Sequence, residues 1–365
     1  MKNPNQASLV PTGKGITRRE GLMLTVLGSA MLMAGCGGGG GDGATTTVGA
    51  TGSSATGAIT GFGSIIVGGV RFDDSAARVQ DDDGASMNSG DLKLGMVVSI
   101  KCGKKTDDGN GVRAKADNIE VYSELQGPVD SKAADLKSIV VLGQTVNISA
   151  TTFFEDGLSL ATLAVGDVVE VYGFVDPVNN TLTATRIERK ANAKVYKLQG
   201  AISALNTTAK TFNIGTITIS YLTAEVPASL ILKDGLVVRV RLAITPPTGI
   251  RTALRIRKFE MQKEEQYEAE VEGIITAFTS TSVFSVNGLP VDASTAFFEG
   301  NKAGVKLGAR VEVEGSIVNG VLVAKKVELE EGENLLKFEL YGTPTALDTT
   351  AKTFMLRGVD RKSVV

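Results

Sequence analysis

The sequence predicts an all-β protein, a series of small five- to six-stranded barrels in tandem behind a signal peptide and a flexible linker. Three observations predict it. Similar stretches recur at a nearly constant spacing, three landmarks keep their register inside each copy, and the segments between them alternate apolar and polar residues around turn chemistry.

Each copy opens on a glycine followed by an apolar-alternating stretch. These are Gly57 (GAITGF), Gly127 (GPVDSK), Gly200 (GAISAL), Gly273 (GIITAF) and Gly342 (GTPTAL), at spacings of 70, 73, 73 and 69 residues. Four of the five follow a matching approach: ELQ, KLQ, EVE or ELY. A second landmark, Gly-x-x-Val-x-Val or a near variant, stands at Gly95 (GMVVSI), Gly166 (GDVVEV), Gly235 (GLVVRV) and Gly308 (GARVEV). A third starts at Ala116 (ADNIE), Ala184 (ATRIE), Ala253 (ALRIR) and Ala324 (AKKVE). The units so defined are residues 57–122, 126–190, 199–260 and 270–330, with an incomplete fifth at 339–365.

Within a unit the alternation is that of strands. It is clear in Phe212-Asn213-Ile214, in Ile217-Thr218-Ile219, and in Phe284-Ser285-Val286 ahead of Asn287-Gly288 and Val291. Asn-Gly between alternating runs is a strong two-residue hairpin signal, and Asn319-Gly320 between Val318 and Val321 is a second one. Its counterparts are residues 108–111, 177–180 and 246–249, all rich in turn formers. No stretch sustains a helical period; one turn at residues 160–165 is the most the pattern allows.

Five or six strands in so short a unit, with one apolar face, predict a closed or nearly closed barrel, which removes exposed strand edges. Strand order and size resemble an OB-like barrel. A unit this small is marginal alone, so neighbours are expected to share short interfaces through segments such as 191–198 and 261–269. The fifth unit supplies two strands and stops before the second landmark. It is either an interrupted reading frame or a hairpin that pairs with another chain or with unit four.

The N-terminus has the three parts of a signal peptide over residues 1–35. Lys2, Lys14, Arg18 and Arg19 make a basic stretch, and residues 22–33 (LMLTVLGSAMLM) an apolar run of twelve. At 1.5 Å per residue, that run is too short for a hydrocarbon core of roughly 30 Å. Met33-Ala34-Gly35-Cys36 follows and resembles the lipobox of bacterial lipoproteins, whose cysteine is lipidated and becomes the new N-terminus; Met33 stands where those proteins usually have Leu. Residues 36–56, Gly-rich and then small and polar, fit a flexible tether. Gly37 behind the cysteine points to the outer membrane by the enteric sorting rule. Thr17-Arg18-Arg19 resembles a twin-arginine export motif, although an ordinary basic signal region fits as well.

Composition excludes several chemistries. The chain has no His, which removes the commonest general base and an imidazole zinc site, and with them Ser-His-Asp and Cys-His nucleophile systems. Lys+Arg number 38 against 40 Asp+Glu, so no global field draws the protein to nucleic acid.

Phe153-Phe154-Glu155-Asp156-Gly157, Leu163-x-x-Gly166-Asp167-x-Val169-Glu170-Val171 and Ala184-x-x-Ile187-Glu188 together are similar to a bacterial family of domains of unknown function. The resemblance spans residues 56–330 and implies tandem copies in secreted lipoproteins. Unit three departs most, lacking the Phe-Glu-Asp-Gly segment. The family has no established activity, so the likeness implies a fold and a location and no chemistry.

The most distinctive local chemistry lies in unit three. Arg239 and Arg241 alternate on one strand, Arg255 and Arg257 on the next, so each pair shares a strand face, opposite Val238, Val240 and Ile256. Residues 199–260 carry eight Lys+Arg against three Asp+Glu, whereas 270–330 carry five against eight, with Glu312 and Glu314 matching Arg239 and Arg241. Such a strip suits acidic polysaccharide or lipid phosphate; it equally suits attraction between oppositely charged modules or a solvated face. It lacks the interleaved aromatics of a nucleic-acid surface. Asp81-Asp82-Asp83-Gly84 hints at calcium but fails the EF-hand template, with Ala85 at its fifth position and Leu92 at its twelfth. The recurring acids Glu120, Glu188 and Glu328 follow the repeat and so read as structural, and no acid pair is singled out for hydrolysis. Cys102 reads as a free thiol at a strand end.

The expectation is therefore a non-enzymatic envelope lipoprotein without cofactor or metal, anchored through Cys36, with its body in the periplasm or at the cell surface. Its barrels would serve as a spacer or a protein-interaction array. The alternative is a binding protein for an anionic polysaccharide or lipid head group, with unit three as the reader.

Overall fold

The computed structural model describes residues 52–362 except 110, 177–180, 245–248, 260–265, 331–337, 341–342, 351 and 357–358. Arg18, Arg19, Cys36, Gly342 and the turn tips at 177–180 and 246–248 lie outside the described residues.

Four five-stranded barrels follow one another along the chain. Barrel 1 is β1 (Ser53–Ala58), β2 (Ile65–Val67), β3 (Val70–Asp73), β4 (Val97–Cys102) and β5 (Val112–Tyr122). Barrel 2 is β6 (Leu125–Lys132), β7 (Ser138–Val141), β8 (Gln144–Asn147), β9 (Val168–Asp176) and β10 (Thr181–Arg189). Barrel 3 is β11 (Tyr196–Asn206), β12 (Thr211–Ile214), β13 (Ile217–Ser220), β14 (Val237–Leu242) and β15 (Ile250–Lys258). Barrel 4 is β16 (Gln266–Ser280), β17 (Val283–Val286), β18 (Leu289–Asp292), β19 (Arg310–Val318) and β20 (Val321–Leu329).

All four share one topology. The first strand pairs antiparallel with the fourth along its first half and with the second along its second half, a part played in barrel 1 by Gly61–Phe62. The third runs parallel to the fifth, and the fifth closes on the fourth. This is the strand order of an OB-like barrel. No α-helix occurs among the described residues. Short 3-10 turns at Ser89–Asp91 and Lys302–Gly304 occupy the place where residues 160–162 make a plain turn.

The repeated glycine of the second landmark has a physical reason. Gly95, Gly166, Gly235 and Gly308 all take positive φ, between 80° and 91°, where a side chain would crowd the backbone. There each glycine N–H donates to the first strand, at Ile59, Val129, Ile202 and Ile275 respectively, over 2.8–2.9 Å. The N–H of that same partner residue donates back to the carbonyl following the glycine, at Met96, Asp167, Leu236 and Ala309, again at 2.9 Å. The turn thus fastens the start of strand four to the bend of strand one in every unit.

A β-bulge recurs as well. The register between strands four and five slips at Cys102, Gly173, Leu242 and Gly315. A Cβ on Gly173 or Gly315 would stand 2.1 Å from a backbone carbonyl oxygen of the facing strand. Cys102 and Leu242 at the same place turn into their cores. The hairpin turns Leu142-Gly143, Asn287-Gly288 and Asn319-Gly320 place both residues at positive φ, the twist that flanking strands require.

Apolar positions fill the barrels. Barrels 2 and 3 share one continuous core that includes Leu125, Val171, Ile187, Phe212 and Val240. Barrel 1 builds its own around Phe72, Ile100 and Ile119, into which Tyr172 and Phe174 of barrel 2 and Ile274 of barrel 4 also pack. Barrel 4 has a third.

The barrels join through their first strands. β1 pairs parallel with β16, from Ser53 opposite Glu268 to Thr56 opposite Val271, so barrel 4 lies against barrel 1. β6 meets β11 antiparallel at Gln126 and Lys197, and the Gln126 side-chain amide donates to the Val195 carbonyl. Interfaces between units were expected from their size; contact between the first and the last was not.

The fifth unit supplies more than the two strands expected of it: β21 (Glu339–Leu340), β22 (Thr345–Asp348), β23 (Thr353–Leu356) and β24 (Val359–Lys362). β22, β23 and β24 form a small antiparallel sheet of their own. β21 pairs parallel with Gly61–Phe62 of barrel 1, not with barrel 4 as one expectation had it. Phe338 packs edge-on against Phe153 of barrel 2, ring centres 4.7 Å apart.

Two glycine substitutions separate the causes named above. Gly235→Ala has open space around it, so only its positive φ should cost, about 1–2 kcal/mol. Gly173→Ala collides with the Thr183 carbonyl and should destabilise by more. Denaturant midpoints of the two variants check the order.

Candidate functional site

The four barrels turn equivalent faces, the outer sides of strands one, four and five, toward one another. In barrel 3 that face is the arginine strip. β14 and β15 set Arg239 opposite Arg257 and Arg241 opposite Arg255, pairs that repel across the ladder unless acids arrive. The acids come from barrel 1. Residues 78–81 run parallel to β5 and deliver the loop Asp81-Asp82-Asp83 onto the strip.

Arg239 is the centre of this contact. Its Nε donates to Gln199 Oε1 at 2.8 Å, Nη2 to Glu124 Oε1 at 3.0 Å and Nη1 to Asp82 Oδ2 at 3.3 Å. The rings of Tyr122 and Phe259 lie 4.7 and 5.0 Å from the guanidinium carbon. Arg241 Nη2 binds Asp82 Oδ1 at 3.2 Å and also contacts Asp83. Arg255 donates to Glu225 of its own barrel at 2.8 Å and lies 3.9 Å from Asp83. Arg257 stays exposed. Three of the four arginines therefore face carboxylates, and the neighbouring module that attracts the strip is barrel 1 rather than barrel 4.

Lys197 extends the network to barrel 2, bonding Glu170 at 2.9 Å and lying 3.5 Å from Asp82. Burial pushes the Glu124 carboxyl above its ordinary value, with Arg239 opposing. At Glu170 burial also pushes upward, but Lys197 and Lys190 outweigh it and bring the carboxyl down to about 2.

The Asp triad has three carboxylate oxygens within 4.8 Å of one another. Those oxygens are already engaged. Asp82 and Asp83 meet guanidinium groups, and Asp81 Oδ1 accepts the backbone N–H of Asp83 and Ala85 at 3.0 and 2.8 Å. The arrangement is an Asx-type turn that aims two acids at barrel 3. Cys102 is buried, its thiol donates to the Ser53 carbonyl at 3.3 Å, and burial raises it to about 11. It is poorly placed as a nucleophile.

The seam between barrels 1 and 4 has the opposite electrostatic character. Glu270 and Glu272 of β16 stand opposite Glu314 and Glu312 of β19. Lys105 reaches from barrel 1 to Glu270 at 2.8 Å. Glu272 accepts the backbone N–H of Ala58 at 3.0 Å and pairs with Arg310. Lys326 gathers Glu299, Glu314 and Glu328 within 3.3 Å. Burial still wins at several of these acids. It raises Glu270 to about 7 despite Lys105, and raises Glu330 to about 7 with help from Glu272 and Glu328. Glu312 rises too, through burial and then its acidic neighbours.

Where the four barrels meet, their walls line a partly open cavity of about 420 Å³, with side chains from every barrel. Glu124, Tyr122 and Phe259 all belong to this junction; Glu124 opens the ELQ approach to Gly127, at the place Lys197 and Glu270 hold in their units, whereas Tyr122 and Phe259 belong to none of the repeated landmarks. They sit at or next to the joints between units, and the approach motif marks Glu124 as recurrent without showing that it meets Arg239.

The family described as Domain of unknown function (DUF5666) matches residues 126–188 and 272–328. Those segments are barrels 2 and 4, so the chain carries tandem copies of a domain of unknown function. No curated protein matches the chain. Among solved structures, the Drosophila chain described as Unr CSD456 is 17% identical over 57% of this chain and 98% of that one, with a TM-score of 0.15.

The two seams give opposite pH dependences. Glu270 and Glu330 hold protons in the folded protein that the unfolded chain releases above the ordinary 4.5, so stability should fall as pH rises from about 5 to 7.5. Glu170, held low, contributes stability that is complete above that value and lost as pH falls toward 2. Denaturant midpoints should therefore peak on the acid side of neutrality, and Glu312→Gln should flatten the alkaline decline. A curve rising steadily to pH 8 contradicts this.

Proposed function

We propose that the chain is an exported, non-enzymatic lipoprotein of the bacterial envelope, outer membrane favoured, whose barrels act together as a protein-interaction array. The address rests on the basic stretch with Arg18 and Arg19, the short apolar run, and Met33-Ala34-Gly35-Cys36 ahead of a Gly-rich tether. Anchoring through several acyl chains at Cys36 would be durable where one chain is not.

The observation that carries the non-enzymatic part is the destination of the charged side chains. Arg239, Arg241 and Lys197 are spent on Asp82, Asp83, Glu124 and Glu170, which ties barrels together. Removing one partner of such a buried pair strands the other charge and costs about 3–5 kcal/mol. The pairing of β1 with β16 favours the array over a spacer, because a rod needs successive units end to end. An anionic glycan or lipid head group at the strip would have to displace those carboxylates, leaving exposed Arg257 as its readiest contact.

Two experiments test the reading. Cys36→Ser should abolish incorporation of labelled fatty acid and release the protein from envelope membranes; unchanged labelling contradicts the anchor. Arg239→Ala should lower the unfolding free energy by a few kcal/mol and Arg257→Ala by less than about 0.5 kcal/mol, with neither altering retention on an acidic-glycan array. Salt-sensitive glycan binding lost in both variants would instead favour the anion reader.

A further inference from the structure

The cavity at the four-barrel junction is not explained by the pairing that holds the barrels together. Its volume, about 420 Å³, falls within the range of small-molecule sites, which commonly lie between domains. The cavity opens to solvent past exposed Gly235 and Gly288, so its apolar lining faces water that an apolar occupant would displace.

The walls specify the chemistry of that occupant. Phe174 from barrel 2, Val97 from barrel 1 and Ala201, Leu236, Val237 and Phe259 from barrel 3 supply an apolar surface. Apart from Lys258, which stands at the exposed side of the wall, the polar groups among them are largely turned on one another. Thr56 and Ser99 share a hydrogen bond of 3.2 Å. Asn287 accepts from the Ile274 N–H at 2.9 Å and donates to the Glu272 carbonyl at 3.2 Å. Thr276 Oγ1 accepts the Gly288 N–H at 2.9 Å. Arg239 is bound on Nε, Nη1 and Nη2 and covered on its faces by Tyr122 and Phe259.

An anion entering here would compete with Glu124 and Asp82 for Arg239, and a cation would meet that guanidinium. Both charged classes are disfavoured, and an apolar body is what the remaining surface accepts. Exposed Gly235 of barrel 3 and Gly288 of barrel 4 stand at the rim, where the absence of side chains leaves a way in.

We propose that the four-barrel junction binds one molecule of a small, uncharged, mainly apolar ligand, against a wall that includes Phe174, Phe259, Val97 and Val237. The site needs all four barrels, so no single repeat carries it.

The test is a fluorescence titration of the purified full chain with 1-N-phenylnaphthylamine, a neutral aromatic probe, beside the anionic 8-anilinonaphthalene-1-sulfonate. The neutral probe should saturate at one per chain and bind at least tenfold more tightly than the sulfonate. Ala201→Trp, which fills the cavity from β11, should weaken it at least tenfold with unchanged circular dichroism and melting. Leu222→Ala, at a side chain 72% exposed on the outside of barrel 3, should leave it unchanged. If Ala201→Trp does not fold, Val237→Phe on the facing strand makes the same test. Non-saturating binding, equal affinity for the sulfonate, or full binding by a folded cavity-filled variant would overturn the proposal.

Discussion

Closing a five-stranded barrel in this order leaves one half-edge open. The first strand gives its first half to strand four and its second half to strand two, so the outer backbone of that first half has no partner within the barrel. Unpaired edges invite association, and this chain matches them two by two. β1 takes β16 along four residues, and β6 meets β11 at a single register position. Everything at the junction follows. Lys105 reaches Glu270, the Ala58 amide finds Glu272, and Lys197 comes beside Glu170.

The two joins are chemically unlike. Between barrels 2 and 3, Lys197 and Lys190 sit beside Glu170 and hold its carboxyl low. Between barrels 1 and 4, acids crowd one another, and burial keeps several partly protonated near neutrality. The same face of the same fold thus serves as a cationic clamp in one unit and as a proton-retaining seam in another. The outward side chains decide which, Arg239 and Arg241 in barrel 3 against Glu312 and Glu314 in barrel 4, while the cores of both barrels are apolar.

Much of the fold was legible in the sequence because backbone geometry admits few residues at certain points. The glycine at 95, 166, 235 and 308 marks a positive-φ turn that no other residue tolerates well, and so it repeats. Asn287-Gly288 and Asn319-Gly320 mark hairpins for the same reason. The order in which barrels meet was not legible. Half-edge pairing uses backbone groups that every residue carries, so no motif announces that unit four returns to unit one. For the same reason the arginine strip and the Asp81–Asp83 loop were visible only as two separate oddities, one resembling an anion reader and the other a weak calcium loop. They are the two halves of one contact. Glu124 was legible as the first residue of the ELQ approach, but nothing in that motif shows that it meets Arg239 of another barrel.

The pairing of β1 with β16 has a consequence for how the molecule is made. Ser53 and Glu268, which face each other across it, lie 215 residues apart in the chain. A ribosome adding about 5–20 residues per second needs some ten to forty seconds to cover that distance. Through that interval barrel 1 can close on itself, but its half-edge must wait. Loop closure adds little to the cost, since it grows only logarithmically with length. Delay is the larger hazard, because a waiting edge is a template for any strand that reaches it first. Ser53, Ser54 and Thr56, short and polar along that edge, make it a poor template until the matching strand arrives.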